Sequence, residues 1–183
     1  MRGFEAKRSR RAVLGAGLAT AVTALLPAAG WCRTDERRLK FRHLHTGERL
    51  DVTYYAGGRY LPAELLKVDH FMRDWREEAT IRIDHELLDF LLEVQARLGR
   101  FDECEVLCGY RTPATNAMLR RRSFGVAKRS FHLFGRAIDV QLPQAPLHRV
   151  KAAALDLERG GVGYYPRADF VHLDTGAVRT WGG

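Results

Sequence analysis

Three cysteines in 183 residues are too few, and odd in number, for the disulfide framework that holds many small exported domains together. Two of them share the strand-like run Glu103-Cys104-Glu105-Val106-Leu107-Cys108. Four residues of extended chain separate Cys104 from Cys108 by roughly 13 Å, beyond disulfide reach. Both are expected to be buried free thiols with no part in metal binding. Internal repeats, low-complexity tracts and long linkers are also missing, so the chain is of single-domain size with enough length for an ordinary core.

Acidic residues are in short supply, 22 against 30 basic ones, a formal charge of +8. The excess is not spread evenly. Residues 1–33 hold Arg2, Lys7, Arg8, Arg10, Arg11 and Arg33 against the single acid Glu5, and the remainder carries 24 basic and 21 acidic residues, a net of +3. So balanced a body argues against nucleic acid as a partner. The only long apolar run, Ala12 to Gly30, is mild in composition and follows Lys7-Arg8-Ser9-Arg10-Arg11, the charge order of a secretion signal. The pair in Ser9-Arg10-Arg11-Ala12-Val13-Leu14 resembles a twin-arginine export signal. Residues 1–33 are thus expected to be an export leader and residues 34–183 the functional domain, placed in the periplasm or cell envelope. Small residues at Ala28 and Gly30 permit cleavage before Trp31. The alternative is an uncleaved signal anchor, the one way this chain would touch a membrane. Trp31 before Cys32 is unsuited to a lipoprotein signal.

Lys40 to Tyr55 alternates apolar and polar residues around Thr46-Gly47-Glu48-Arg49 and predicts a hairpin. Helical spacing covers Pro62 to Trp75 and Asp84 to Leu98, the second with Asp84 as N-cap. Strands are predicted at 103–108, 136–142, 161–165 and 170–174, and helices at Pro113 to Arg122 and Leu147 to Arg159. Without regular βαβ alternation, the class is α+β.

The chemistry sits in two segments, Ser130-Phe131-His132-Leu133-Phe134-Gly135-Arg136-Ala137-Ile138-Asp139 and Asp169-Phe170-Val171-His172-Leu173-Asp174. Two neutral imidazoles and a carboxylate, His132, Asp139 and His172, suit Zn²⁺ and leave a fourth tetrahedral position open, as a hydrolase needs. His132 and Asp139 are seven residues apart and would face opposite ways on one strand, so Gly135 has to turn the chain between them. Asp174 lies two residues past His172, on the same strand face, where an outer-partner or purely structural role is open. His43 and His45 have no further ligand nearby and make at most a weak adventitious site. Arg120-Arg121-Arg122 and Lys128-Arg129 read as a solvated basic face or as an attraction for carboxylates.

These segments resemble the YcbK-like murein endopeptidases, within the zinc peptidase superfamily that also holds the D-Ala-D-Ala dipeptidases, the lysostaphin-type enzymes and the hedgehog signalling domain. The shared pattern is Ser-x-His-x-x-Gly-x-Ala-x-Asp followed by acid-x-x-His. The similarity runs over most of residues 39 to 181, including Leu44-His45-Thr46-Gly47-Glu48, Gly109-Tyr110-Arg111-Thr112-Pro113-Ala114-Thr115-Asn116 and Gly160-Gly161-Val162-Gly163-Tyr164-Tyr165-Pro166. The resemblance implies a small antiparallel sheet carrying zinc, with helices packed mainly on one side. It also implies that Asp169 is the general base and later protonates the leaving amine, provided the chain bends near Phe170; a solvated turn aspartate is the alternative. Arg111 is implied to hold the substrate carbonyl or carboxylate, against a surface salt bridge, and Ser130 to orient the substrate peptide, against ordinary loop chemistry. Cys108 stands where the family's Ser-Gly-Tyr-Arg has serine. The implied activity is zinc-dependent hydrolysis of amide bonds in peptidoglycan stem-peptide cross-links, and the protein is expected to be a monomer. A D,D- or L,D-carboxypeptidase and a catalytically inactive zinc-containing peptidoglycan-binding protein are the alternatives.

Overall fold

The hairpin at the start of the domain shows how local pattern becomes sheet. In a computed structural model that describes residues 36–122 and 125–183, β1 (Arg37–His43) and β2 (Arg49–Ala56) pair antiparallel, with Leu39 opposite Val52 and Phe41 opposite Leu50. Leu39, Phe41, Val52 and Tyr54 are buried while Lys40, Arg42 and Asp51 face solvent, the period-2 pattern of a half-buried strand. The expected export leader lies outside the described residues, as does Cys32. Among the described residues no helix is long and apolar enough to cross a membrane.

After β3 (Arg59–Tyr60) come α1 (Pro62–Phe71), α2 (His85–Arg97), β4 (Cys104–Cys108) and α3 (Pro113–Arg122). A 3₁₀ turn (Phe131–Phe134) leads into β5 (Ala137–Gln141), followed by α4 (Leu147–Leu155), β6 (Gly161–Tyr165), β7 (Phe170–Asp174) and β8 (Arg179–Gly182). The eight strands form one sheet in the order β3-β2-β1-β4-β5-β7-β6-β8. The α+β class holds. The sheet is mostly antiparallel but mixed, since β1–β4 and β6–β8 pair parallel. The α1–α2 segment carries the chain across to β4, which lets it run alongside β1 in the same sense.

Asp84 caps α2 as predicted, its carboxylate accepting from the Glu86 N–H at 3.1 Å. Such a cap is worth about 1 kcal/mol. The helix buries Leu87, Leu88, Phe90, Leu91 and Val94 against Ile138, Val140, Val171 and Leu173 of the sheet, joined by Val150, Ala153 and Ala154 of α4. α1 stops at Phe71, short of the predicted Trp75, because residues 74–79 close a tight turn through an Asp74–Ala79 bridge. The strands β3 and β8 were not predicted; the first is only two residues long.

Candidate metal centre

Because Ile138, Val140, Val171 and Leu173 point into the core, Asp139 and His172 between them point to the other face of the sheet. Their strands are adjacent and in register, so the two residues sit directly opposite each other. The same rung continues through Cys108, paired with Asp139, and through Gly163 and Trp181 on β6 and β8. Gly163 is the gap in this row: a Cβ there would lie 2.8 Å from the Trp181 ring. The indole fits into that space, with its ring centre 5.2 Å from that of His172.

His132 arrives from outside the sheet. Gly135 ends the 3₁₀ turn at φ 66°, a left-handed conformation that glycine adopts freely, and any Cβ there would lie 2.5 Å from the Arg82 carbonyl oxygen. This is the turn that the odd spacing of His132 and Asp139 demands. Ser130 is the N-cap of the same turn, its Oγ accepting from the His132 N–H at 3.4 Å. The Arg111 N–H donates to the His132 carbonyl at 3.1 Å, tying the loop before α3 to the 3₁₀ turn.

The outer nitrogen of each imidazole meets an acceptor. His132 Nδ1 lies 2.6 Å from the Gly109 carbonyl oxygen, and His172 Nε2 lies 3.1 Å from Asp174 Oδ2. Each outer nitrogen therefore carries hydrogen, and the neutral ring offers a lone pair at the other nitrogen. Those inner atoms, His132 Nε2 and His172 Nδ1, face each other at 3.2 Å. The Asp139 carboxylate completes the triangle at 3.3 Å from the first and 2.8 Å from the second. Donors bonded to a tetrahedral zinc at 2.0–2.1 Å stand about 3.3 Å apart. Three lone-pair groups at this spacing repel one another unless a proton or a metal cation stands among them, so the residues fit a small cation.

The electrostatics agree. Burial pulls the His132 imidazole down, but the charges of Asp139 and Cys108 and their hydrogen bonds outweigh it and push it up to about 10. Burial would raise the Asp139 carboxyl, yet His132 and His172 hold it far below the ordinary carboxylate range. Asp174 is fully buried and similarly depressed; against the cost of burial it accepts from His172, from both terminal nitrogens of Arg179 and from the Gly176 N–H.

The three predicted ligands are thus brought together. Arg111 is beside them, and it is buried rather than a surface ion-pair residue. Its Nη2 lies 3.8 Å from Asp139 Oδ2 and donates to Cys108 Sγ at 3.4 Å, its Nη1 donates to Asn116 Oδ1 at 3.3 Å, and its Nε has no hydrogen-bond partner among the described residues. Asp169 does bend the chain, with φ 54°, but it lies in the exposed turn between β6 and β7. The cluster opens into a cavity of about 570 Å³ whose walls include Ser130, Phe131, Phe170, Trp181, Arg129 and Arg179.

The expectation of two buried thiols is corrected at Cys108, which is only half-buried. Its Sγ groups with His132 and Asp139, the ligand atoms of all three lying within 4.8 Å of one another. Simple alternation along β4 would put Cys108 on the core side with Cys104 and Val106. A bulge intervenes: Val106 pairs with Val140, but Cys108, two residues on, pairs with Asp139, only one residue back. The extra residue turns Cys108 onto the face that carries Asp139 and His172. Nothing in the alternating sequence announces that bulge. Cys104 stays in the core as expected. His43 is also structural, its Nδ1 accepting from the N–H groups of His45 and Thr46 in the hairpin turn.

The family model described as peptidoglycan L,D-endopeptidase MepK matches residues 32–181. The probable peptidoglycan L,D-endopeptidase MepK of Haemophilus influenzae is 48% identical over 148 residues, 80% of this chain and 80% of the relative. The peptidoglycan L,D-endopeptidase MepK of Escherichia coli K12 is 40% identical over 179 residues, 97% of this chain and 98% of the relative. No solved structure matches.

Proposed function

The chain belongs to the peptidoglycan L,D-endopeptidase MepK family, and on that premise we propose that it is a zinc peptidase of the cell envelope that hydrolyses amide bonds in peptidoglycan stem-peptide cross-links. The L,D specificity of its relatives makes the scissile bond one between an L- and a D-configured centre. The observation that carries the reading is the convergence of His132 Nε2, His172 Nδ1 and Asp139 at 2.8–3.3 Å, with both outer imidazole nitrogens already engaged.

His132, Asp139 and His172 hold the metal, which when bound polarises the scissile carbonyl and makes water nucleophilic near neutral pH. Gly109 and Asp174 keep the two imidazoles in the ligating tautomer. Arg111, permanently charged and shielded from solvent, stabilises negative charge on the carbonyl oxygen as the tetrahedral centre forms. Asp169 takes the proton of the attacking water on its carboxylate and returns it to the leaving amine. As the turn stands in the substrate-free protein, this role requires Asp169 to move inward when the peptide binds, and hydrogen bonds of this kind commonly tighten only in the complex. Ser130 fixes the turn that carries His132 and presents a wall of the cavity to the peptide. Export by the twin-arginine route, through the leader, delivers the enzyme to its substrate.

The test is digestion of murein sacculi by the purified protein, followed by mass spectrometry of the fragments. The expected result is about one zinc per chain, release of new amino termini from within cross-links, and loss of both on chelation. Release of free terminal amino acids alone would make it a carboxypeptidase, and a zinc-loaded protein that binds sacculi but cleaves nothing would make it a binding protein.

A further inference from the structure

The mechanism above makes no use of Cys108, although its Sγ and the ligand atoms of His132 and Asp139 all lie within 4.8 Å of one another. Its placement is specific. The β4 bulge sets it opposite Asp139 on the rung that also carries His172. The other free thiol among the described residues, Cys104, is held in the core, where its Sγ accepts from Gln95 Nε2 at 3.0 Å. Cys108 Sγ has Arg111 Nη2 at 3.4 Å, and the same nitrogen stands 3.8 Å from Asp139. A guanidinium in that position offsets the charge of a sulfur anion beside a carboxylate.

Resting on the zinc-peptidase reading, we infer that Cys108 is a fourth protein donor to the same metal ion in the substrate-free enzyme, closing the position that solvent and substrate must take during turnover. A zinc bonded to sulfur at 2.3 Å and to nitrogen at 2.0–2.1 Å sets those donors about 3.6 Å apart. From a present separation of at most 4.8 Å from the His132 and Asp139 ligand atoms, ligation draws the sulfur toward those two by about 1.2 Å at most. When the sulfur–metal bond forms, the thiol proton leaves to solvent; when a substrate carbonyl displaces the sulfur, the proton returns. Four protein donors are the ordinary number for a closed zinc site, and zinc also accepts a fifth donor, so the thiolate can be exchanged without loss of the ion. Sulfur further biases the site toward soft ions, zinc and cadmium over magnesium or manganese.

X-ray absorption at the zinc edge, on the full protein carrying one zinc, tests this directly. The expected spectrum contains one sulfur scatterer at about 2.3 Å beside nitrogen and oxygen at about 2.0–2.1 Å. Cys108→Ser loses the sulfur shell completely and Cys104→Ser keeps it. Cobalt substitution gives a second readout: a sulfur-to-cobalt charge-transfer band in wild type and Cys104→Ser, absent in Cys108→Ser, while the visible bands of the tetrahedral ion remain. Bound zinc with only nitrogen and oxygen neighbours overturns the inference and leaves the metal-site reading standing. A protein that takes up no metal overturns both. If Cys108→Ser does not fold, the wild-type spectrum alone decides.

Discussion

Two buried carboxylates, Asp89 and Asp139, show the difference between a finished polar cluster and an unfinished one. Asp89 projects from α2 toward the opening hairpin, where Tyr54 Oη donates at 2.9 Å, Tyr60 Oη at 2.6 Å and Arg37 forms an ion pair. Burial would raise its carboxyl, but donation from Tyr60, Arg37 and Tyr54 holds it below the ordinary range. Every neighbour brings a hydrogen, so the group is satisfied by the protein alone. Asp139 is as deeply buried, yet its nearest neighbours are two imidazole nitrogens whose lone pairs face it once their rings are neutral. Such a cluster needs a cation from outside. A carboxylate ringed by donors supports the fold, and one ringed by acceptors points to a ligand.

Substitutions at the two sites should therefore fail in different ways. Asp139→Ala is expected to have the largest effect, weakening zinc binding by more than about 100-fold, beyond the 10–100-fold typical of an outer partner. Zinc titration against a competing chelator measures it, and near-normal affinity would remove Asp139 from the ligand set. Asp169→Ala should keep its metal while kcat falls by about 10²–10⁴; unchanged turnover of cross-linked muropeptides would exclude it as the base. Asp174→Asn sharpens the contrast from the side, because it alters the carboxylate that accepts from His172 Nε2, Arg179 and the Gly176 N–H and leaves the three central groups in place. Its zinc affinity should fall by about 10–100-fold, with unchanged helical circular dichroism, and no change in affinity would mean that the tautomer of His172 does not depend on Asp174.

Asp89→Ala should leave zinc affinity intact and cost about 2 kcal/mol of stability, the scale of hydrogen bonds to a charged group. Urea unfolding of the zinc-loaded protein reads this. Because the native carboxyl is depressed, its contribution is complete above the unfolded value of about 4 and is lost as pH falls through the native value. The stability gap between wild type and Asp89→Ala should close on acidification below about pH 4, and a gap constant to lower pH would deny the charged network its role.

Much of this molecule was legible in one dimension. The hairpin, the capped α2 and the strands β5 and β7 follow from alternation, from Asp84 and from apolar runs, which are local properties of the chain. His132, Asp139 and His172 stood out because their residue types and the intervening Gly135 allow only a few arrangements. Other features had no local signal. The two-residue strand β3 is too short to leave a pattern, and β8 exists because Arg179–Gly182 can reach the free edge of β6. Arg111 could be proposed but not shown to be buried. The distance of Asp169 from the cluster depends on a turn whose inward or outward direction spacing cannot fix.

The sequence by itself determined the α+β class, the donor types and the need for a turn between His132 and Asp139, because periodicity, capping and ligand chemistry act over a few residues. Only the tertiary structure decided which nitrogen of each histidine is free, since that depends on the Gly109 carbonyl and the Asp174 carboxylate meeting the opposite ring edges. It alone also set Cys108 beside His132 and Asp139: a β-bulge is a property of two paired strands, and one strand read by itself cannot contain it.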